Sequence, residues 1–138
     1  MSLSKNTNES MRKDITIDIL RKRLSDPVWD WDKLSLNPSI SSLDIVQNKD
    51  LPWNWTKVEQ RTDIRLILQN PQCPWTYYRF FERPDVTMDV ILEFPEFVWN
   101  YELMSSNYSI SIHDIAKFPK FGWNWDIVSK RGDYKSLN

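Results

Sequence analysis

Apolar and polar positions along this chain recur in a fixed long cycle rather than with one simple helical or strand period. A tryptophan marks each cycle, at Trp29, Trp53, Trp75, Trp99 and Trp123, with intervals of 24, 22, 24 and 24 residues. Such regular spacing over most of a chain is the signature of a repeat architecture. Twelve residues before each of the last four stands a good helix N-cap: Ser41, Asp63, Thr87 or Ser111. In the first cycle Thr16 takes that part, one place further back. These oxygens can accept from the orphan N–H groups of a first helical turn. Ile15, Ile40, Val86 and Ile110 precede their caps, and Leu20, Ile45, Ile67, Ile91 and Ile115 follow four places on, which is hydrophobic-staple spacing. Pro71, Pro95 and Pro119, each four residues before the tryptophan, then stop the helix after about two turns. In the cycle that ends on Trp53, Asn48 closes the helix and Pro52 directly precedes the tryptophan.

A second helix is predicted after every tryptophan. Its N-cap is Asp30, Asn54, Thr76, Asn100 or Asn124, and its first residue is Trp31, Trp55, Tyr77, Tyr101 or Trp125. Leu34, Val58, Phe80, Met104 and Val128 lie five places after the tryptophan, again at staple spacing. The fold class is therefore expected to be all-α: an α-solenoid of about five short helix-turn-helix repeats, each about 24 residues long. SISIHDI and DVTMDVIL alternate with period two, the strand signal, but matched caps, staples and prolines outweigh it. Residues 1–13 are expected to form a polar, mobile arm, 14–133 a single helical-repeat domain and 134–138 a tail. Between Trp53 and Asp63 the Asn-Pro-Ser link seen at 37–39 has no counterpart, so that connection should be tighter.

Composition adds limits. Two glycines against eight prolines and eight tryptophans argue against a β-meander on glycine-rich turns. Net charge is −1, so no global field favours nucleic acid or an anionic membrane. The single Cys73 leaves no disulfide within the chain and fits a reducing compartment. MSLSKNTNES has no apolar segment of the kind a secretory signal carries, and no run approaches the roughly 20 apolar residues of a spanning helix. An intracellular, non-secreted protein with no membrane partner is the expectation.

Candidate chemistry is sparse. The repeated tryptophans read as structural clamps, since a buried tryptophan dominates its surroundings. The second aromatics, Trp31, Trp55, Tyr77, Tyr101 and Trp125, form the candidate interaction face. An aromatic ladder can also stack bases, but that requires a basic track, and 18 basic residues face 19 acidic ones. The only dense basic run is Arg21-Lys22-Arg23, which reads as a solvated helix face, so nucleic acid is the disfavoured alternative. His113 and Cys73 are far apart in sequence and read as structural. Asp30 and Asp32 flank Trp31 as a cap and a first-turn dipole partner. With no metal-ligand spacing and no glycine-rich phosphate loop, catalytic, metal and cofactor sites are all expected to be absent. Arg131-Gly132-Asp133 reads as a helix end capped by Gly132. Asn54-Trp55-Thr56 and Asn107-Tyr108-Ser109 spell glycosylation acceptors, which matter only in a secreted chain.

Asn37-Pro38-Ser39-Ile40-Ser41, Asp44-Ile45-Val46 and Pro52-Trp53-Asn54-Trp55, with Leu34-Ser35 closing the previous cycle, resemble the Pro-Trp-Asn-Trp tandem repeats of proteins encoded by giant DNA viruses of amoebae. The resemblance covers about residues 15–133, closely in the first two cycles and loosely after them, where Tyr77 and Tyr101 replace the second tryptophan. It implies a virus-encoded repeat protein made in a host cell, and carries no activity. The expected function is a non-enzymatic scaffold or adaptor that binds a host or viral protein or itself, as a homo-oligomer, in the host cell or the virion. The alternative is a nucleic-acid-binding repeat protein that uses the aromatic ladder.

Overall fold

The computed structural model describes residues 7–26 and 28–137. Among these, the chain forms helices and turns and no strand. It divides into two compact units, one ending at Tyr77 and the other beginning at Tyr78, where a single repeat domain was expected.

The first unit carries α1 (Thr7–Ser10), α2 (Ile17–Lys22), α3 (Trp31–Leu34), α4 (Ser42–Gln47), α5 (Trp55–Arg61) and α6 (Ile64–Gln69). The second carries α7 (Met88–Glu93), α8 (Tyr101–Met104), α9 (Ile112–Lys117) and α10 (Trp125–Ser129). It also has 3-10 turns at Phe80–Glu82 and Tyr134–Leu137. Helices this short cannot persist alone in water, so packing and local bonds must hold them.

Caps supply the first set of bonds. Thr16, Ser41, Asp63, Thr87 and Ser111 accept from first-turn N–H groups of α2, α4, α6, α7 and α9. Asp30, Asn54, Asn100 and Asn124 do the same for α3, α5, α8 and α10. Both staple rows are buried, from Ile15 and Leu20 through Ile110 and Ile115, and from Leu34 and Val58 through Met104 and Val128.

The repeated tryptophans supply the second set. Each is buried, and its indole N–H donates to the carbonyl that closes the preceding helix. Trp53 reaches Asn48 O at 2.9 Å, Trp75 reaches Asn70 O at 2.8 Å and Trp99 reaches Phe94 O at 2.9 Å. Trp123 reaches Phe118 O at 2.8 Å and Trp29 reaches Arg23 O at 2.9 Å. A helix leaves its last carbonyls without partners, and the indole satisfies one of them while its rings fill the core. Before Trp123 the chain turns at Gly122 with φ of 111°, a conformation that a side chain would strain.

Successive hairpins inside each unit are joined by a third set. Ser35 Oγ accepts the Asn54 amide at 2.8 Å, and Ser105 Oγ accepts the Asn124 amide at 2.8 Å. The residue eight places after the tryptophan reaches back to carbonyls of the previous hairpin. Arg61 donates to Ser35 O, Asn37 O and Ile40 O, and Arg131 donates to Ser105 O and Ile110 O. Asn107 donates to Phe81 O and Arg83 O. Among the described residues no buried side-chain polar atom lacks a partner.

These bonds correct the expected N-terminal arm. Residues 1–6 lie outside the described part, but 7–13 are integrated. Ser10 is fully buried and accepts the Asp30 amide at 2.8 Å, as Ser35 and Ser105 do for their successors. Asn37 donates to Ser10 O and Arg12 O, as Asn107 does to Phe81 O and Arg83 O. α1 thus does the work of a second helix for the hairpin that follows it. At the other end, the expected tail forms the 3-10 turn Tyr134–Leu137, packed against α9.

Thr76 is the other correction. It caps no helix, and the helix expected to begin at Tyr77 does not form. Glu59 stands where Ser35 and Ser105 stand in their cycles, and one of its carboxylate oxygens accepts both the Thr76 amide (2.8 Å) and the Tyr77 amide (3.0 Å). Neither amide opens a helix, and Tyr77 and Arg79 adopt left-handed backbone, with φ of 55° and 53°. Helical bonding resumes only at the 3-10 turn Phe80–Glu82. Phe80 still reaches its core position. The tighter connection expected after Trp53 is present: α5 runs on to Arg61, and two residues separate it from α6.

Candidate interaction surface

Trp31, Trp55, Tyr101 and Trp125 sit at the start of their helices, and the rings of the first three meet the tryptophan of the next hairpin. Trp31 meets Trp53 edge-on at 5.1 Å and 82°, and Trp55 meets Trp75 at 5.2 Å and 88°. Tyr101 meets Trp123 at 5.1 Å and 78°. Edge-to-face pairs of this kind add about 0.5–1.5 kcal/mol beyond the area they bury. Trp31, Trp55 and Tyr101 are consequently half-buried, and burial pushes the Tyr101 phenol pKa up. The two more exposed members of the predicted face are Tyr77 (38%) and Trp125 (41%). Burial, and then the nearby Glu59 carboxylate, raise the Tyr77 phenol pKa. Trp31, Trp55 and Tyr101 therefore act first as links between hairpins, whereas Tyr77 and Trp125 are the exposed members of the set.

Exposed apolar side chains that the aromatic pattern did not flag lie elsewhere. Leu103 and Ile127 both stand four places after a tryptophan, where the first unit has Lys33 and Lys57. Leu103 forms part of an open groove of about 330 Å3, together with Phe81, Pro84 and Tyr108 and with Glu82 and Ser109 at its edge. The signal that could have found these residues was the change from lysine to aliphatic at one repeat position.

Other candidates resolve into structure. Cys73 is buried beside Trp75, and desolvation raises its thiol pKa, away from the reactive thiolate. His113 is exposed on α9, with Ser136 Oγ 3.3 Å from its Nε2. The basic run is engaged in pairs rather than merely solvated. Arg21 binds Asp50 and Asn48, Lys22 meets Asp18 at 3.0 Å, and Arg23 binds Asp26 and Glu9 while lying 5.0 Å over Trp29. Hydrogen bonds to Asp50 and Asp26 raise the Arg21 and Arg23 pKa values.

Arg131-Gly132-Asp133 differs from the expected helix end. α10 stops at Ser129, and Gly132 does not take the left-handed cap conformation; its amide donates to the Tyr108 hydroxyl. The Arg131 side chain is only 2% exposed and packs 4.5 Å over the Tyr108 ring. Asn107 spends its amide group on two backbone carbonyls, and Asn54 donates to Asp32 at 2.8 Å, so neither glycosylation-like sequence presents an unengaged amide. Among the described residues no group of three or more His, Cys, Asp or Glu is arranged to hold a metal ion, and no helix is long and apolar enough to cross a membrane. No family model, curated protein or solved structure matches this chain.

Proposed function

We propose that this protein is a non-enzymatic helical-repeat scaffold, an α-solenoid of the kind found in the tandem-repeat proteins of giant viruses, which acts by binding another protein inside the infected host cell or the virion. The observation that carries this reading is the repetition of the same joint within each unit. A serine hydroxyl or a carboxylate accepts the amide after the next tryptophan, and an Asn or Arg eight places after a tryptophan holds the previous hairpin's carbonyls. Joints of this kind serve a chain whose hairpins bury apolar surface only against their neighbours, and repeat arrays of that type offer extended binding surfaces. Exposed Trp125 and Ile127 on α10 extend the candidate surface.

The test is affinity capture from infected cells with the intact chain, beside a Trp125→Ser/Ile127→Ser variant whose circular dichroism and thermal midpoint match it. A protein recovered in stoichiometric amount by the intact chain and lost by the variant supports an adaptor that uses this surface. Recovery of the chain alone shifts the reading to self-association. Recovery dominated by nucleic acid overturns it in favour of the aromatic-ladder alternative.

A further inference from the structure

Three second helices carry a hairpin on them, and each holds it with the same groups. On α3, the Trp31 ring meets Trp53 edge-on and Ser35 Oγ accepts the Asn54 amide. The Asp32 carboxylate accepts the Asn54 side-chain amide at 2.8 Å. On α8, Tyr101 meets Trp123 and Ser105 Oγ accepts the Asn124 amide. On α5, Trp55 meets Trp75, and Thr56, placed as Asp32 is, donates to Thr76 at 3.4 Å. Beneath their hairpins Ser35 and Ser105 are fully buried, and each hydroxyl also donates four residues back, to Trp31 O and Tyr101 O.

α10 repeats this set, with Trp125, Asp126 and Ser129 at the places of Trp31, Asp32 and Ser35. Here the set is open. Trp125 is 41% exposed, and Asp126 and Ser129 are exposed as well. Ser129 Oγ donates three residues back, to Asp126 O at 3.2 Å, in place of the four-residue bond of its covered counterparts. The covered joints define what fits such a face: a tryptophan ring against Trp125, the amide of the residue after it on Ser129 Oγ, and that residue's side chain on Asp126. Asparagine in that place donates to the carboxylate, as Asn54 does to Asp32, whereas aspartate would bring two carboxylates together.

No hairpin of a second copy meets these terms. Trp29 is followed by Asp30, whose amide is already held by Ser10. Trp53-Asn54 and Trp123-Asn124 are seated on α3 and α8, and the Thr76 amide is on Glu59. Trp99 is buried among Phe80, Phe81 and Phe97.

We infer that the exposed face of α10 binds a helix-turn-helix hairpin of another protein that carries Trp-Asn at its turn, with the tryptophan against Trp125, the asparagine amide on Ser129 Oγ and the asparagine side chain on Asp126. This rests on the scaffold reading and gives the partner at Trp125 and Ile127 a chemistry. The bound hairpin continues the array by one step through the contact that already joins its neighbours.

The probe is a fluorescein-labelled peptide with this chain's own residues 39–61, which spell one Trp-Asn hairpin. Fluorescence anisotropy is read with the full chain. The peptide is expected to bind below about millimolar concentration. Trp125→Ser in the chain should weaken it at least about tenfold and Ser129→Ala about fivefold. Leu43→Ser, an exposed leucine of the first unit, should leave it unchanged. Asn54→Asp in the peptide should weaken binding about tenfold, and Asp126→Lys in the chain should reverse that preference. The Asn54→Asp arm alters only the peptide, so it reads the joint independently of how any chain variant folds. No binding up to about millimolar, indifference to Trp125→Ser and Ser129→Ala, or equal binding of both peptides overturns the inference. So does a dimer of the parent chain in sedimentation that dissolves on Trp125→Ser, because the occupant would then be a second copy. A cellular protein captured through Trp125 and Ile127 while the peptide stays unbound removes the joint and keeps the scaffold reading. Peptide binding with no cellular protein captured keeps the joint and removes the adaptor.

Discussion

Two joints of the first unit use the same location in the repeat and reach different ends. At one, Ser35 Oγ accepts the Asn54 amide while its own hydroxyl donates back to Trp31 O at 2.6 Å. The hydroxyl takes a single amide, the Asn54 side chain remains available to cap α5, and a helix begins at Trp55. At the other, Glu59 spans a shorter interval along the chain, 17 residues to Thr76 against 19 from Ser35 to Asn54. Its longer carboxylate takes two amides, and the chain enters a left-handed turn in place of a helix. The joint whose acceptor takes one amide is followed by a helix, and the joint whose acceptor takes two is followed by a left-handed turn. Thr76 is an acceptable cap in isolation. Here its amide goes to Glu59, 17 residues back, and no helix follows.

The largest effect expected on this comparison comes from the tryptophan common to both hairpins. Trp53→Ala removes a buried ring, the bond to Asn48 O and the edge contact with Trp31, and should cost about 3–5 kcal/mol by urea denaturation. Unchanged stability would place Trp53 outside the core. Next, Glu59→Ser should cost about 2–4 kcal/mol, because a hydroxyl at that point is too short for the Thr76 and Tyr77 amides and leaves both without their acceptor. Ser35→Ala, which orphans one amide, should cost about 1 kcal/mol. Equal losses at the two positions would mean that the carboxylate's second bond is immaterial.

The two arginine clamps sharpen the comparison through pH. Arg61 reaches the carbonyls of Ser35, Asn37 and Ile40, and burial lowers its pKa. Arg131 reaches carbonyls and also binds Asp133, whose pKa is held below the ordinary carboxylate value by that hydrogen bond. A depressed folded-state pKa gives stability that is present above the unfolded value and lost as pH falls through the folded one. Arg131→Met should therefore cost about 2 kcal/mol at neutral pH and flatten the loss of stability on acidification. Arg61→Met should leave that acid slope as it is. Identical slopes in both variants and the parent would remove Asp133 from the account. The smallest pair tests the caps: Ser41→Ala should cost about 1 kcal/mol, whereas Thr76→Ala should change stability by less than about 0.5 kcal/mol.

The elements that sequence spacing predicted well were those governed by near neighbours. A cap and the amide it serves lie two or three residues apart, so Ser41, Asp63, Asn54 and Asn124 could be read directly. The roles of Ser10, Ser35, Glu59 and Ser105 were hidden because their partners lie 17 to 20 residues on. Even so, the pattern was present. Ser10-Met11-Arg12 and Ile15-Thr16 align with Ser35-Leu36-Asn37 and Ile40-Ser41, and again with Ser105-Ser106-Asn107 and Ile110-Ser111. Polar composition alone made residues 7–13 look like a loose arm. The second aromatics were legible as a set, but whether a ring at the start of a helix faces solvent or its neighbour's indole depends on how two hairpins pack, which periodicity does not encode.

The indole bonds have a practical consequence. Trp29, Trp53, Trp75, Trp99 and Trp123 each hold one ring proton against the carbonyl that ends a helix. In a proton–nitrogen correlation spectrum these five protons would resonate well apart from the backbone amides and exchange with deuterium only when their own hairpin opens. The protein thus carries five built-in isotope clocks, one for each turn of its cycle, from which the order of local opening along the chain could be timed without attaching a label.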